Sequence, residues 1–256
     1  MGPALAESGR AQVVDTADRV AAWQLANLES YEGIRTFRDR TSDKRGWVRA
    51  AFYIGLNRWQ NVSPRPEYRQ ALYDMAEQND WRLGDRYWHA DDQAMAQVYL
   101  ALESADIEPT REAFDQVLEL NPRNSLEFVK PKSDLTEGGC QQRWCWCDAL
   151  FMAPPAWAAL SQVTGDPRYV EYAVSEYLAT SDYLFDQDDQ LFYRDSRIFE
   201  RRTEFGNKVF WGRGNGWVFA GLPLLLELLP QDHPAREDFM AMYRGIAATF
   251  KKIQTA

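Results

Sequence analysis

Through most of its 256 residues this chain places its apolar residues every three to four positions, and almost nowhere in alternation. Spacing of three and four gathers side chains on one face of an α-helix, whereas a half-buried strand needs a period of two. Such a chain can bury a core only by packing helix on helix. Val14, Ala17, Val20, Ala21 and Leu25 mark the first such stretch, over residues 13–28. Trp47, Ala50, Ala51, Ile54 and Gly55 mark the second, over 47–59. Residues 67–78 follow Pro66, which suits a first helical turn. Residues 91–104 open on Asp91 and Asp92, whose charges suit the positive end of a helix. Residues 110–120 stop before Asn121-Pro122. Residues 147–163, 169–183, 216–229 and 234–253 complete a count of nine, with a turn and short hairpin over 185–197.

The connections alternate between short turns and two long, polar segments, 122–143 and 200–215. Antiparallel helix pairs set around a ring or along a solenoid produce that alternation. No repeat of fixed period is present, which weighs against a solenoid. The length suits a single domain over residues 1–256.

Several function classes fall away. Net charge is −9 and no run of Lys or Arg stands out, so a nucleic-acid partner is not expected. No apolar run approaches the 18 residues or so of a membrane span. The first residues lack the basic start and apolar core of a signal peptide, so the expected location is cytoplasmic, or periplasmic if a leader has been removed. Cys140, Cys145 and Cys147 do not have a zinc spacing, and the chain has only two His. Reduced thiols packed near a helix start are expected there, with no metal.

Three segments run from a polar or aromatic stretch into an apolar helix: WHADDQAMAQVYL from Trp88, RWCWCDALFMAPP from Arg143 and FWGRGNGWVFAGLPLL from Phe210. Helices radiating from a common face would bring these starts together around one cavity. Asp148 is the lone carboxylate inside an apolar and aromatic run, surroundings that disfavour its charged form, as a proton donor requires. The competing reading is a plain helix N-cap, and the two are compatible. Asp91 and Asp92 are adjacent, so on a helix they point about 100° apart and only one can face the cavity squarely. Gly212, Gly214 and Gly216 lack the preceding strand and Lys-Ser/Thr pair of a nucleotide cradle. A tight loop that aims Arg213 between Trp211 and Trp217 fits better, against a purely structural Arg stacked on Trp.

WCDALFM and WGRGNGW, at this separation and after HADDQ, resemble glycoside hydrolase family 105, the unsaturated rhamnogalacturonyl hydrolases, and the related unsaturated glucuronyl hydrolases. The likeness runs from about Gly46 to the C-terminus. It implies an all-α fold, the (α/α)6 barrel, and twelve helices where nine are counted, so the chain is expected to stop short of a complete barrel. An apolar seam is then expected near residues 222–229 or 246–253. Carried over by motif, the resemblance makes Asp148 the proton donor and Asp91 the second active-site acid, with Asp92 as its alternative. Trp146, Trp211, Arg213 and Trp217 line the subsite of the unsaturated uronate. Where members carry His, this chain has Arg143 before Asp148 and Arg194 in FYRDSR, and both are taken as substrate-binding.

The implied reaction is hydration of the 4,5 double bond of a uronate left on pectin-derived oligosaccharides by a lyase, with no metal or organic cofactor. The expected partner is a small oligosaccharide carrying that uronate. Rival readings are another (α/α)6 glycosidase, cutting a saturated glycan with Asp91 and Asp148, and a non-catalytic helical module for a glycan or peptide.

Overall fold

A computed structural model describes residues 3–30, 43–103, 105–122, 124–129 and 139–254. Its helices are α1 (Pro3–Ala26), α2 (Trp47–Trp59), α3 (Pro66–Gln78), α4 (Ala90–Gln93), α5 (Ala96–Tyr99) and α6 (Glu108–Leu120). They continue with α7 (Ala149–Met152), α8 (Pro154–Thr164), α9 (Pro167–Leu184), α10 (Gly212–Leu228) and α11 (Arg236–Ile253). The expected hairpin is present: β1 (Phe185–Asp186) pairs antiparallel with β2 (Leu191–Phe192). Residues 123 and 130–138 of the long segment expected over 122–143 lie outside the described residues.

Two expected helices prove to be pairs. Over 90–99, Ala94 and Met95 keep right-handed helical angles. Tighter bonds from Gln97 N to Ala94 O (3.2 Å) and from Val98 N to Met95 O (2.9 Å) mark the change of turn. Over 149–164 the break falls at Pro154-Pro155, whose nitrogens cannot donate, so the chain restarts with proline in a first turn. A third difference is that WGRGNGW is not a loop. Helix α10 begins at Gly212, so all three glycines of the motif are helical.

The helices pack as an inner and an outer layer. Helix α2 contacts α5, α5 contacts α8, and α8 and α7 contact α10. Trp47 and Trp217 meet edge to face at 6.5 Å, and Arg58 pairs with Glu227, so α10 returns to α2. Helices α3, α9 and α11 back α2, α8 and α10 respectively. The core between the layers is aromatic: Trp157, fully buried, stacks on Phe114 at 4.1 Å and donates its indole N–H to Gln93 Oε1 at 2.9 Å. Burying an aromatic side chain of this size contributes about 1.5–3 kcal/mol. A Cβ on Gly221 would lie 2.8 Å from the Leu150 carbonyl oxygen, so α10 crosses α7 with backbones in contact.

Helix α1 is held by one buried carboxylate. Asp18 accepts hydrogen bonds from Trp59 Nε1 (2.8 Å), Tyr68 OH (2.9 Å), Ser63 Oγ (2.9 Å) and Arg65 Nη2 (2.6 Å). The Arg65 guanidinium, with these donors, holds the Asp18 carboxyl well below the usual carboxylate range. The apolar seam lies elsewhere than expected. Leu222, Leu225, Leu226, Leu229 and Ile246 are buried because α11 covers α10, with Phe219 stacked on Tyr243 at 4.6 Å. Three exposed apolar side chains cluster on α1, where Val13, Val20 and Trp23 are each more than 60% exposed; others, such as Phe205, Val129 and Ile253 at the end of α11, stand singly. Among the described residues no helix is long and apolar enough to cross a membrane.

Candidate active site

The inner helices deliver their N-terminal ends to one rim. Trp47 begins α2, Asp91 lies in the first turn of α4, Asp148 precedes α7, and Arg213 and Trp217 lie in the first turns of α10. Two connected recesses open there. The outer one, about 300 Å3, is lined by Trp47, Asp91, Gln141 and Trp146 among others. A much smaller one of about 20 Å3, the inner recess, shares His89, Asp91, Gln141 and Trp146 with it and adds Asp148.

Local geometry separates Asp91 from Asp92. His89 caps α4 by accepting a hydrogen bond at Nδ1 from the Asp91 backbone N–H, 3.1 Å away. This fixes the first turn so that Asp91 lines both recesses. Asp92, buried, turns back onto Arg86: it accepts from Nη2 at 2.6 Å and from the backbone N–H at 2.9 Å. Its side chain fills space beside Gly84 that any Cβ there would occupy. Although Asp92 also borders the outer recess, its oxygens are engaged by Arg86.

Asp148 stands at the N-cap position of α7 yet makes no capping hydrogen bond, and its backbone is already helical. The plain-cap reading therefore does not describe it. Burial in the apolar and aromatic surround, followed by the charge of Asp91, pushes its carboxyl up to about 7; Arg194 and Arg213 oppose that rise. Asp148 thus gains and loses its proton close to neutral pH.

Aromatic walls and guanidinium groups complete the rim. The Arg194 guanidinium lies 5.0 Å from the Trp146 ring and 5.4 Å from the Trp211 ring; that of Arg213 lies 4.8 Å from Trp211. Such cation–π contacts keep the planes of both groups against indole. Trp146 is backed by Phe128, stacked at 5.7 Å, and Trp217 packs between Trp47 and Phe151. Arg194 is also stitched to the segment before Asp148 through its backbone, where its carbonyl accepts from Cys147 N at 3.0 Å. Its Nε lies 3.4 Å from Asp195, a fully buried carboxylate already gripped by Arg197 through two bonds of 2.8 Å.

Two expectations are corrected here. Arg143, taken as substrate-binding, borders the inner recess but spends its guanidinium on Glu176, with Nε and Nη2 donating at 2.9 and 3.0 Å, and on the Asn124 carbonyl at 3.1 Å. A fork engaged on both tines has little left for a ligand. The three cysteines are not all thiols: Cys140 and Cys145 form a disulfide, and only Cys147 is free, buried, its thiol pushed up by burial. Among the described residues no cluster of three or more metal-ligating side chains occurs.

His89, Gln141 and Trp47 line the recesses without having been singled out. His89 lay in plain view inside HADDQ, Trp47 read as part of a core stripe, and Gln141 lies in a segment with no periodicity. A larger cavity, about 610 Å3, is lined by amides such as Asn57, Gln97 and Gln162, and its carboxylate Glu227 is paired with Arg58. It lacks the unneutralised acid that chemistry would need.

Known proteins share both the fold and the sequence. The profile of Glycosyl Hydrolase Family 88 matches residues 16–256. An unsaturated 3S-rhamnoglycuronyl hydrolase of Alteromonas sp. (strain LOR) is 40% identical over 94% of this chain and 62% of its own length. One of the same name from Formosa agariphila is 33% identical over 81% of this chain and 57% of its own. The chain thus spans about three fifths of these relatives. The structure titled glycosyl hydrolase family 88 from Bacteroides vulgatus superposes with a TM-score of 0.69 at 21% identity, covering 93% of this chain and 69% of that one. That likeness shows the fold, a ring of helical hairpins.

Proposed function

The chain belongs to Glycosyl Hydrolase Family 88, and from that membership we propose that it removes a 4,5-unsaturated uronic acid from the non-reducing end of a rhamnose-containing oligosaccharide. The two named relatives are unsaturated rhamnoglycuronyl hydrolases, which supports rhamnose as the sugar next to the uronate. Pectin-derived rhamnogalacturonan fragments are one kind of glycan with such a pairing.

One observation carries the reading: a carboxyl held at about 7 beside a second carboxylate, in a recess walled by tryptophan. Asp148, protonated, gives its proton to C4 of the enol ether. The positive charge that develops at C5 is shared with the ring oxygen and lies close to Asp91. Water then adds at C5 while Asp148 takes a proton back, acting as base. The hydrated sugar is a hemiketal; it opens to a ketone and releases the neighbouring sugar, with one water consumed. The distance rule for retaining and inverting glycosidases does not govern such a reaction. Arg213 and Arg194 supply positive charge for the uronate carboxylate in a chain whose net charge is −9. The faces of Trp146, Trp211 and Trp217 suit the apolar faces of sugar rings.

Of the two compartments considered, the Cys140–Cys145 disulfide favours the periplasm, since such bonds persist in oxidising surroundings. The functional test is loss of the ultraviolet absorbance of the conjugated uronate, with release of a saturated sugar identified by mass spectrometry. Cleavage of a saturated glycan instead, with the unsaturated uronate untouched, would refute the proposal.

A further inference from the structure

The strip from Cys140 to Arg143 is anchored at every residue but one. Cys140 is closed onto Cys145, their Cα atoms 5.5 Å apart. The Gln142 side-chain oxygen Oε1 accepts from the Asn124 side-chain amide, and Arg143 grips Glu176. Gln141 stands among them, half-buried, and lines both the outer and the inner recess beside Asp91 and Trp146. No described residue takes its carboxamide in a hydrogen bond, whereas both its neighbours' side chains are committed.

We propose that Gln141 reads the substrate in this site, and that the Cys140–Cys145 crosslink positions it there; the proposal rests on the functional reading above. A carboxamide both donates and accepts, as a sugar hydroxyl does. A carboxylate or sulfate selects a guanidinium instead. Gln141 therefore reads a neutral ring hydroxyl of the sugar lodged between Asp91 and Asp148, leaving the anionic group to arginine. The crosslink closes a short ring of chain that has Gln141 on one limb and Trp146 immediately beyond the other. Such a ring removes freedom that an uncrosslinked segment would lose on binding. A contact with a hydroxyl away from the reacting carbons is made equally in ground and transition states, so it lowers KM and leaves kcat alone.

The test compares the steady-state kinetics of wild type, Q141A, C140S/C145S and the triple variant on an unsaturated uronyl-rhamnose disaccharide. Losing one neutral hydrogen bond should raise KM about threefold to tenfold in Q141A, with kcat little changed. The crosslink variant should raise KM in the same direction, and the triple variant should be no worse than Q141A, because the two act through one contact. Unchanged KM in Q141A overturns the assignment and leaves the function standing; it needs no cysteine variant to fold. Additive losses in the triple variant overturn the positioning role of the crosslink. A wild type that leaves the uronate absorbance untouched refutes the functional reading, and this inference with it.

Discussion

Replacing Asp148 by Asn should cripple turnover and stabilise the fold, two effects of opposite sign from one change. The carboxyl is held at about 7 against an ordinary 3.8, a shift of roughly three units. At about 1.36 kcal/mol per unit, ionising it inside the fold costs about 4 kcal/mol relative to the unfolded chain. The sign follows from the direction of the shift. A carboxyl whose folded value is raised favours folding fully below 3.8, and that contribution is lost as pH climbs through 7. Asn never ionises and never incurs the cost. At about pH 5.5, between the two values, wild type suffers roughly half of it; at about pH 8 it suffers nearly all. Urea unfolding of both proteins should therefore show the advantage of Asp148→Asn growing by about 2 kcal/mol between those conditions. Turnover should fall by about a hundredfold or more, the contribution of a general acid. A stability gap that stays constant across pH would show that Asp148 ionises normally, and activity within about tenfold of wild type would remove it from the mechanism.

The remaining predictions follow the same geometry. Asp91→Asn removes the like charge beside Asp148, so carboxyl-carbon NMR should find the Asp148 titration moved to lower pH; an unmoved titration would place Asp91 too far away to matter. In wild type, kcat/KM should decline as pH rises through about 7, since only protonated Asp148 can donate; a flat profile to pH 9 or so would contradict this. Arg213→Ala should weaken binding of the unsaturated uronyl oligosaccharide about tenfold or more, the value of a charged hydrogen bond, and matter far less for a neutral analogue. Equal losses in calorimetry would make Arg213 a support for Trp211 only. Asp18→Ala should lower the melting temperature most above the ordinary aspartate value of 3.8, because Arg65, Trp59 and Tyr68 lose their common acceptor. It should leave kcat untouched.

What the sequence made legible was whatever depended on near neighbours in the chain. Helix α2 was expected over the residues it occupies because an unbroken apolar stripe marks both its face and its length. Asp148 stood out because a lone carboxylate among tryptophans and cysteines has few other uses. Helical periodicity also showed that Asp91 and Asp92 diverge, but not which faces inward. That choice rests on Arg86, whose place in an irregular segment has no pattern to read. Arg143 looked available because Glu176, thirty-three positions away, is what occupies it. The glycines of WGRGNGW suggested a loop on propensity alone, since glycine disfavours helices. Tertiary contact outweighed propensity there: the turn must pass close to Trp211 and Cys147, and only a residue without a side chain can do so.

That last contact divides three look-alike letters into two kinds. Around Gly212 and Gly216 the space that a side chain would enter is open, so a randomised library should return many residues at both. At Gly214 a methyl group would sit 2.3 Å from Trp211 Cε3 and 2.6 Å from Cys147 Sγ, so the same library should return glycine almost alone. The indole that would have to yield is the one against which both Arg194 and Arg213 lie. The absence of one methyl group therefore sets where two positive charges stand. Substitution at 212 and 216 is free to retune helix stability, while substitution at 214 would be felt first as a displacement of both guanidinium groups.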